Sequence, residues 1–524
     1  MNKQNAHAWL KKLISIRSEV STEGENLMAD ALYQRLSQLD YFIKNPEHLS
    51  FVEAENDPYQ RKSLVASMIL DHSRPTLIGI GHIDTVSTID YGKYRDLATE
   101  SESLKQAFLQ DLAQFKPSVQ QDLMNSDYLF GRGSLDMKAG VGAWCEVCTL
   151  LDQYPHLAKA NLIIGFVCDE EGNSLGMQSI LSKLINIRDT FHLTYLGVID
   201  TDYTAPKTTD SDEYTMYCGT IGKFLLNIAV FGKEAHASDP LEGIDASMIL
   251  SALISKLCYN QQLSETSLGK VSPVMVPLHI EDSQQAYSVQ TAKMAWGYVN
   301  VCFYKRPIEQ WMNMFEVIAQ QVVEELQQKM RLALSAQGST KEPVPIRVIT
   351  QKQLSKSKLD LHLPDERLEA YRYVQDSYQS VMNDEALIVL YISPPYYPAF
   401  TIDPQHSPLV TYIQSNVRST HPYTIEPYYP YISDMSFVKG VNQHEIKALK
   451  QYLPNDHRLD ERMLHMMSAL DCEMINIGPL GKDAHQWTER VSLSSFDWLI
   501  NTLAQCVLEV KDEIFDSNEQ FLGT

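Results

Sequence analysis

Three short apolar runs, each the length of one buried strand, constrain the fold of this chain more than any other feature. They read TLIGIGHIDTV (76–86), NLIIGFVC (161–168) and LTYLGVID (193–200), and stretches with helical periodicity lie between them. Apolar strands that are separated by helices indicate a sheet that is buried on both faces. We therefore predict an α/β fold with a doubly wound, mostly parallel sheet, in which ligands gather at the carboxyl ends of the strands.

The pattern of predicted strands and helices changes near residue 214, which indicates a second domain. From there, predicted strands are followed by long helical patterns, which is typical of an α+β segment. The polar stretch 335–345 is a candidate return linker, after which apolar runs at 387–392 and 474–480 restore the earlier strand pattern. We therefore predict an α/β domain formed by residues 1–213 and 346–524, with an α+β domain inserted over 214–345.

A polar stretch over 91–127 interrupts the first part of the predicted α/β domain. Leu104, Phe108, Leu109 and Leu112 lie at helical spacing within it. The stretch is predicted to be a helical insertion, and the sequence assigns it no role.

Charge and composition exclude several classes of protein. The chain of 524 residues has 44% hydrophobic residues and a net charge of −22. This charge argues against nucleic acid or an anionic membrane as a partner, because both bind basic faces. The N-terminal residues show no continuous apolar core of a signal peptide, and no window is long enough to span a membrane. We therefore expect a cytoplasmic protein.

The eight cysteines are spread thinly and most lie inside apolar patterns, which predicts reduced thiols in the core. Cys145 and Cys148 form a CxxC pair within the helical run VGAWCEVCTLL. One face of a helix is the preferred interpretation of this pair, and a zinc or redox pair is the alternative.

His82 and Asp84 are two residues apart at the end of a predicted strand, so their side chains share one face. Asp84 can then accept a hydrogen bond from one imidazole nitrogen while the other nitrogen binds a metal ion. An ordinary hydrogen-bonded pair without a metal is the alternative.

Further acids follow the predicted strands. Asp136 lies in the glycine-framed loop GRGSLDMKAG, Asp200 ends the run YLGVID, and Asp169, Glu170 and Glu171 follow NLIIGFVC directly. The fold would bring these carboxylates to one edge of one sheet, where they would be strongly destabilising without a cation. Carboxylates together with histidines form a ligand set that suits zinc.

Five motifs follow one another along the chain: GHIDTV, GRGSLDMKAG, DEEGNSLG, GKEAHASDP and GPLGKDAHQWTE. In this order they resemble the M20 family of dinuclear zinc peptidases and amidohydrolases, over nearly the whole chain. The chain length, the DEEGNSLGM segment and SPPYYP are most similar to the longer RocB-type branch, which is associated with arginine utilisation. The resemblance implies a metal-dependent hydrolase that cleaves an amide bond in a small substrate, either an N-acyl amino acid or a short peptide.

The resemblance also implies a set of ligands for two Zn²⁺ ions in each subunit. One ion would be held by His82, Asp136 and Asp200, and the second by Asp136, Glu171 and His485, with Asp136 shared between them. Co²⁺ or Mn²⁺ fits the same kinds of ligand.

The resemblance gives catalytic roles to two further residues, Glu170 and His236. Glu170 takes the position of the general base, next to the ligand Glu171, while the spacing described above makes Asp84 the residue that orients His82. The inserted α+β domain would act as a lid and pair two subunits in a homodimer. His236, in GKEAHASDP, would reach the active site of the partner and stabilise the oxyanion; a surface histidine in a hairpin is the alternative.

The chain departs from the family pattern at several positions. It reads DTDYT where relatives have Glu or Asp followed by Pro-Thr, so Asp202 competes with Asp200 as the ligand. Asn300 replaces a usual acidic residue in the inserted domain. Ser433, Asp434 and Glu489 are candidate contacts to the substrate or to the ligands.

Two other functions compete with this interpretation. Gly172 to Gly176 spell GxSxG, the pattern of a serine hydrolase with Ser174 as nucleophile, but three acids separate this serine from the strand. A metal-stabilised dimeric binding protein without turnover is the other alternative. The presence of Glu170 argues against this binding protein, because a site that only binds metal requires ligands and no adjacent base.

Overall fold

The computed structural model describes residues 2–509 except 56, 205–212, 356, 358, 360, 362, 364, 380–384, 420 and 456–460. Two compact units emerge from the contacts between these residues. The first comprises Met1–Thr220, Thr401–Gly440 and His465–Thr524, and the second comprises Ile221–Phe400 and Val441–Leu464.

The strands are, in chain order, β1 Leu49–Glu53, β2 Lys62–Met68, β3 Pro75–His82, β4 Tyr128–Phe130, β5 Asn161–Val167, β6 Thr194–Asp200, β7 Tyr214–Cys218, β8 Gly222–Phe231, β9 Thr266–Ser267, β10 Lys270–Val271, β11 Val276–Asp282, β12 Met294–Phe303, β13 Ile346–Thr350, β14 Ala386–Tyr397, β15 Tyr423–Glu426, β16 Met474–Asn476, β17 Gly481–Lys482 and β18 Arg490–Ser492.

The α-helices are α1 Lys3–Ser15, α2 Gly24–Leu36, α3 Asp40–Lys44, α4 Ser101–Gln110, α5 Pro117–Met124, α6 Lys138–Gln153, α7 Leu175–Phe191, α8 Ala246–Leu257, α9 Ile308–Ala336, α10 Glu366–Gln379, α11 Pro408–Asn416, α12 Gln443–Tyr452, α13 Glu461–Leu470 and α14 Leu493–Val507. Short 3₁₀ segments include Ile89–Leu97 and Asp434–Phe437.

An eight-stranded sheet organises the first unit, in the order β1-β2-β5-β3-β6-β16-β7-β15. The central neighbours β5, β3, β6 and β16 run parallel to one another, and β15 runs parallel to β7. The pairs β1–β2, β2–β5 and β16–β7 are antiparallel. The predicted α/β class with a mostly parallel sheet is therefore confirmed.

The centre of this sheet is apolar on both faces, as the sequence predicts. Every residue of β5 is buried, and β3 lies between β5 and β6 with Ile78 opposite Ile163 and Val198. Helix α6 packs against β3, and a Cβ atom at Gly79 would lie 2.7 Å from the Trp144 ring. Glycine at position 79 thus allows the indole to approach the strand closely.

A five-stranded sheet organises the second unit, in the order β11-β12-β8-β14-β13. Strands β11, β12, β8 and β14 are antiparallel, and β13 runs parallel to β14. Helices α8 and α9 cover the apolar core on one side of the sheet, with Trp311 and Phe315 among its members. This unit has the α+β character expected of the inserted domain.

The boundaries of the second unit differ from those predicted at 214–345. The strand predicted over 387–392 is present within β14, but it pairs with β8 and extends the sheet of the second unit. The apolar run that forms β14 is buried on both faces, and periodicity alone does not say which sheet such a strand joins. The run at 474–480, in contrast, contributes β16 to the first sheet, next to β6.

The predicted helical insertion over 91–127 contains α4 and α5, preceded by the 3₁₀ segment Ile89–Leu97. Leu104 and Phe108 are fully buried in a small apolar cluster, against which Trp487 also packs. Directly after this segment in the chain comes β4, which pairs with β18 in a three-stranded sheet of order β17-β18-β4.

All eight cysteines are free thiols, and Cys145 and Cys148 are buried on helix α6. None of the helices in the described part of the chain combines the length and apolar character that crossing a membrane requires.

Candidate metal centre

The carboxyl ends of three parallel strands bring the predicted site residues together. His82 is the last residue of β3, Asp200 is the last residue of β6, and Glu170 and Glu171 follow β5 closely. The register places His82 opposite Val167, so the acids after β5 begin beside this histidine. The parallel sheet thus creates the cluster that the sequence predicts.

Asp136 lies between two histidines. Its Oδ1 is 2.9 Å from Nε2 of His82, and its Oδ2 is 2.9 Å from Nε2 of His485. Oε1 of Glu171 lies 2.8 Å from the same nitrogen of His485. Burial by itself would raise the pKa of Asp136, but the two histidines lower it. Each oxygen of Asp136 therefore faces a different histidine, which is the arrangement of a carboxylate shared between two positions.

The donor atoms of this cluster fit a divalent cation. One donor atom each from His82, Asp136 and Glu171 lies within 4.8 Å of the others, and these residues form the candidate metal group found among the described residues. Nitrogen and carboxylate oxygen donors suit zinc and related transition metals. The residues present thus fit a metal ion.

Asp84 acts on the main chain of the acidic turn. Nδ1 of His82 lies 3.1 Å from the main-chain oxygen of Asp84 and 3.6 Å from its carboxylate. The carboxylate accepts hydrogen bonds from the backbone N–H of Glu170 at 3.2 Å and of Glu171 at 2.9 Å. Asp84 therefore fixes both the imidazole and the backbone that carries the two glutamates.

The three successive acids after β5 have separate environments. Asp169 has a φ of +65°, and its carboxylate lies 2.6 Å from Nη1 of Arg61. It also accepts hydrogen bonds from the backbone N–H of Asn173 and Leu175, at the start of α7. Asp169 is therefore neutralised away from the metal centre, as an ion-pair partner and helix cap.

Glu170 faces His82, whereas Asp169 faces Arg61. Its Oε2 lies 4.0 Å from Nε2 of His82, and burial raises its pKa well above the ordinary value. Glu170 therefore lies close to the candidate ligands but outside the group of three donors.

Asp200 and Asp202 are both buried near the cluster. Asp200 accepts a hydrogen bond from the Ser433 hydroxyl and another from the Thr201 N–H at 2.8 Å. Burial raises the pKa of Asp202 well above the ordinary value, and Asp136 and Asp200 add to the rise. The group of three donors described above contains neither Asp200 nor Asp202. The choice between these two aspartates as a ligand therefore stays open.

Two more candidate contacts have clear partners. Glu489 accepts hydrogen bonds from the backbone N–H of Leu135 at 3.0 Å and of Asp136 at 3.2 Å, and it pairs with Arg132 at 2.8 Å. It holds the loop that carries Asp136. Burial raises the pKa of Asp434 to about 8, against the opposing effect of the Ser174 hydroxyl.

Ser174 is poorly placed for a nucleophile. It is completely buried, immediately before helix α7, in a left-handed backbone conformation with a φ of +54°. An attacking hydroxyl must be accessible to the substrate, and a neighbouring carboxyl opposes an oxyanion. The geometry therefore disfavours the serine hydrolase alternative.

His236 and Asn300 belong to the second unit. His236 forms an isolated β-bridge with Gln290, and its Nδ1 accepts a hydrogen bond from the Ser238 N–H at 3.1 Å. Asn300 lies on β12. The catalytic role assigned to His236 stays a prediction.

Sequence reasoning missed the two buried arginines that stabilise the site. Arg61 binds Asp57, Glu25 and Asp169, and Arg132 binds Glu489 and Asp90. Arg61 stands in none of the five motifs, and Arg132 lies in GRGSLDMKAG, where the motif pointed to Asp136. Most partners of the two arginines are far away along the chain. The segment PYYP at 427–430 contributes Tyr429, whose hydroxyl donates a hydrogen bond to the main-chain oxygen of Tyr203, next to Asp202.

Comparison with known proteins gives consistent results. The model of peptidase family M20/M25/M40 matches residues 81–509. The RocB protein of Bacillus subtilis (strain 168) is 27% identical over 525 residues, which cover 93% of this chain and 91% of RocB. The YqjN protein of the same organism is 28% identical over 524 residues, covering 95% of this chain and 94% of YqjN.

A solved tripeptidase from Staphylococcus aureus matches the structure with a TM-score of 0.56 and 16% identity, over 97% of this chain and 98% of that chain. At this identity, the likeness concerns the fold alone.

The Arg61 cluster leads to a prediction about stability. Arg61→Met should lower the free energy of unfolding by about 3–5 kcal/mol, because it leaves buried carboxylates without their cation. Urea unfolding measures the change. Lys62→Met is the matched control: Lys62 forms a half-exposed pair with Asp30, and its loss should cost no more than about 1 kcal/mol. Equal losses in the two variants would contradict a special role for Arg61.

Proposed function

Since the chain belongs to peptidase family M20/M25/M40, and is thereby a hydrolase acting on amide bonds, we propose that it cleaves an N-acyl amino acid or a short peptide in a metal-dependent reaction. The observation that carries this proposal is the position of Asp136 between His82 and His485, with Glu171 on one side and Glu170 beside the cluster. This is a ligand set with an adjacent base.

The proposed cofactor is a pair of Zn²⁺ ions, with Co²⁺ or Mn²⁺ as alternatives of similar ligand preference. His82, Asp136 and Asp200 or Asp202 would hold one ion, and Asp136, Glu171 and His485 the other. When bound, such ions would polarise the carbonyl group of the substrate and lower the pKa of a water molecule to about 7.

The protein contributes a proton carrier and a fixed scaffold. Glu170 takes a proton from the attacking water and later gives it to the departing amine. Asp84 keeps Glu170 in place by accepting the hydrogen bonds from the backbone of Glu170 and Glu171. Glu489 does the same for the backbone at Asp136.

Small substrates related to arginine are the first to test, because the sequence resembles the RocB-type branch. The proposal includes a homodimer in which His236 of the second unit serves the active site of the partner and stabilises the oxyanion. Both features come from the resemblance to the family.

Replacement of the proposed base gives a direct test. Once a screen of N-acyl amino acids and dipeptides has found a substrate, Glu170→Gln should lower kcat by about 10²–10⁴-fold, because the amide cannot accept the proton. Metal content, measured by mass spectrometry, should be unchanged. Persistent activity in Glu170→Gln, together with loss of activity in Ser174→Ala, would instead support the serine mechanism.

Metal removal tests the ligand set. Dialysis against a chelator should abolish hydrolysis, and added Zn²⁺, Co²⁺ or Mn²⁺ should restore it. In a metal titration, His485→Ala should lose one of the two ions while Asp136→Ala loses both, because Asp136 faces both histidines. Full metal content in Asp136→Ala would contradict the shared ligand.

The role of His236 can be tested by mixing two inactive variants. If His236 acts on the partner, an equal mixture of His236→Ala and Glu170→Gln chains, unfolded and refolded together, should regain about one quarter of wild-type activity. Half of the dimers would then be mixed, each with one complete site. No recovery, in a mixture shown by sedimentation to contain dimers, would place His236 outside the partner's site.

A further inference from the structure

His485 lies on a loop at the end of a short hairpin. The loop, residues 483–489, connects β17 and β18, which have only two and three residues. The His485 side chain is 50% exposed, and both Asp483 and His485 have positive φ angles. A hairpin with strands this short does not hold its loop rigid. Yet His485 lies within 3 Å of two buried carboxylates, so other residues must fix its position.

Aromatic side chains of the 91–127 segment hold the loop two residues beyond His485. The ring of Trp487 stacks on Tyr94, with centroids 6.0 Å apart and an angle of 4°. It meets Phe108 edge to face at 5.6 Å and lies 4.9 Å from Phe115. Phe108 is fully buried, so the segment presents a preformed apolar socket to the indole. Aromatic pairs in these geometries are attractive beyond the area they bury.

A buried carboxylate of the same segment holds both strands of the hairpin. Asp122, on helix α5, binds Nζ of Lys482 on β17 at 2.9 Å and Nη2 of Arg490 on β18 at 2.7 Å. Nη1 of Arg490 in turn lies 2.5 Å from Asp483, the first residue of the loop. One acid therefore fixes the two ends of the loop at once, through charge-assisted hydrogen bonds.

The two ends of the segment make further contacts with the ligand loops. At its end, Asp127 accepts hydrogen bonds from the Ser492 hydroxyl at 2.6 Å and the Ser494 N–H at 2.8 Å. Just before its start, Asp90 pairs with Arg132 at 2.8 Å, and Arg132 binds Glu489, which holds the backbone of Asp136. Within the segment, the main-chain oxygen of Ala98 accepts a hydrogen bond from the Arg132 N–H at 2.8 Å. The segment thus contacts the loop that carries Asp136 and the strand that follows the His485 loop.

We propose that the 91–127 segment is a positioning element for the metal centre, which orients His485 towards Asp136 and Glu171 through Trp487 and Asp122. This inference rests on the proposed function, in which His485 is a metal ligand. The segment supplies no ligand itself. It replaces the rigidity that the short hairpin lacks, so that the imidazole is oriented before the ion binds.

Metal titration of Phe108→Leu tests the proposal. The leucine removes the edge-to-face contact with Trp487 and keeps the site apolar. We expect the affinity for the ion held by His485 to fall roughly tenfold, since residues that orient a ligand typically affect affinity by 10–100-fold. The affinity for the ion held by His82 should stay at the wild-type value. Phe42→Leu, a buried aromatic on helix α3, is the matched control for general loss of core packing.

Asp122→Asn provides a second variant with unchanged volume. This variant should weaken binding of the ion held by His485. At limiting metal concentration, kcat should fall by a larger factor than KM changes. Trp487→Phe keeps an aromatic ring in the socket and should retain most of the affinity, in contrast to Trp487→Ala. The proposal is overturned if Phe108→Leu and Asp122→Asn bind both ions like the wild type, or weaken both ions equally as a general loss of stability would.

His485→Ala separates this inference from the proposed function. If His485→Ala loses one ion and the segment variants lose none, the positioning role is wrong and the ligand set stands. If His485→Ala itself binds both ions with unchanged affinity, the ligand assignment fails, and with it the reason for a positioning element.

Discussion

Buried negative charge at one edge of a sheet is the constraint on which the rest of the first unit depends. Acids at the ends of β5 and β6 are removed from water, and burial raises the pKa of Glu170, Glu171, Asp200 and Asp202. Such a cluster is stable only if cations and hydrogen-bond donors compensate the lost hydration. The groups around the cluster supply these cations and hydrogen-bond donors.

The compensation is divided between two neighbouring places. On one side of the turn after β5, the guanidinium of Arg61 faces Asp57, Glu25 and Asp169 within the protein. On the other side, the histidines and backbone N–H donors satisfy only part of the charge, and the donor set suits a bound cation. The positive φ of Asp169 turns its side chain to the arginine while the next two acids face the histidines. The backbone turn at Asp169 therefore separates the acid that pairs with Arg61 from the two acids that face the histidines.

The sequence predicted the parts of this arrangement that are local. Strand ends, the spacing of His82 and Asp84, and the motif around Asp136 indicated which residues meet, because parallel strands place their carboxyl ends together. It did not predict that the run over 387–392 joins the second sheet, since a strand that is apolar on both faces can pair in either one. Nor did it reveal Arg61 or Arg132, whose partners lie mostly at large separations along the chain.

The two histidines reach the metal centre by different routes, and this difference explains why a long insertion can be useful here. His82 ends a central strand, where pairing on both sides fixes the backbone. His485 stands on a loop at the tip of a short hairpin, where the backbone has far fewer constraints. Two proposed ligands on such unequal supports would meet Asp136 in a defined geometry only if the weaker support is reinforced. The socket around Trp487 and the pairs of Asp122 supply that reinforcement from a segment that contains none of the proposed ligands, so the apparently separate insertion becomes part of the site that it borders.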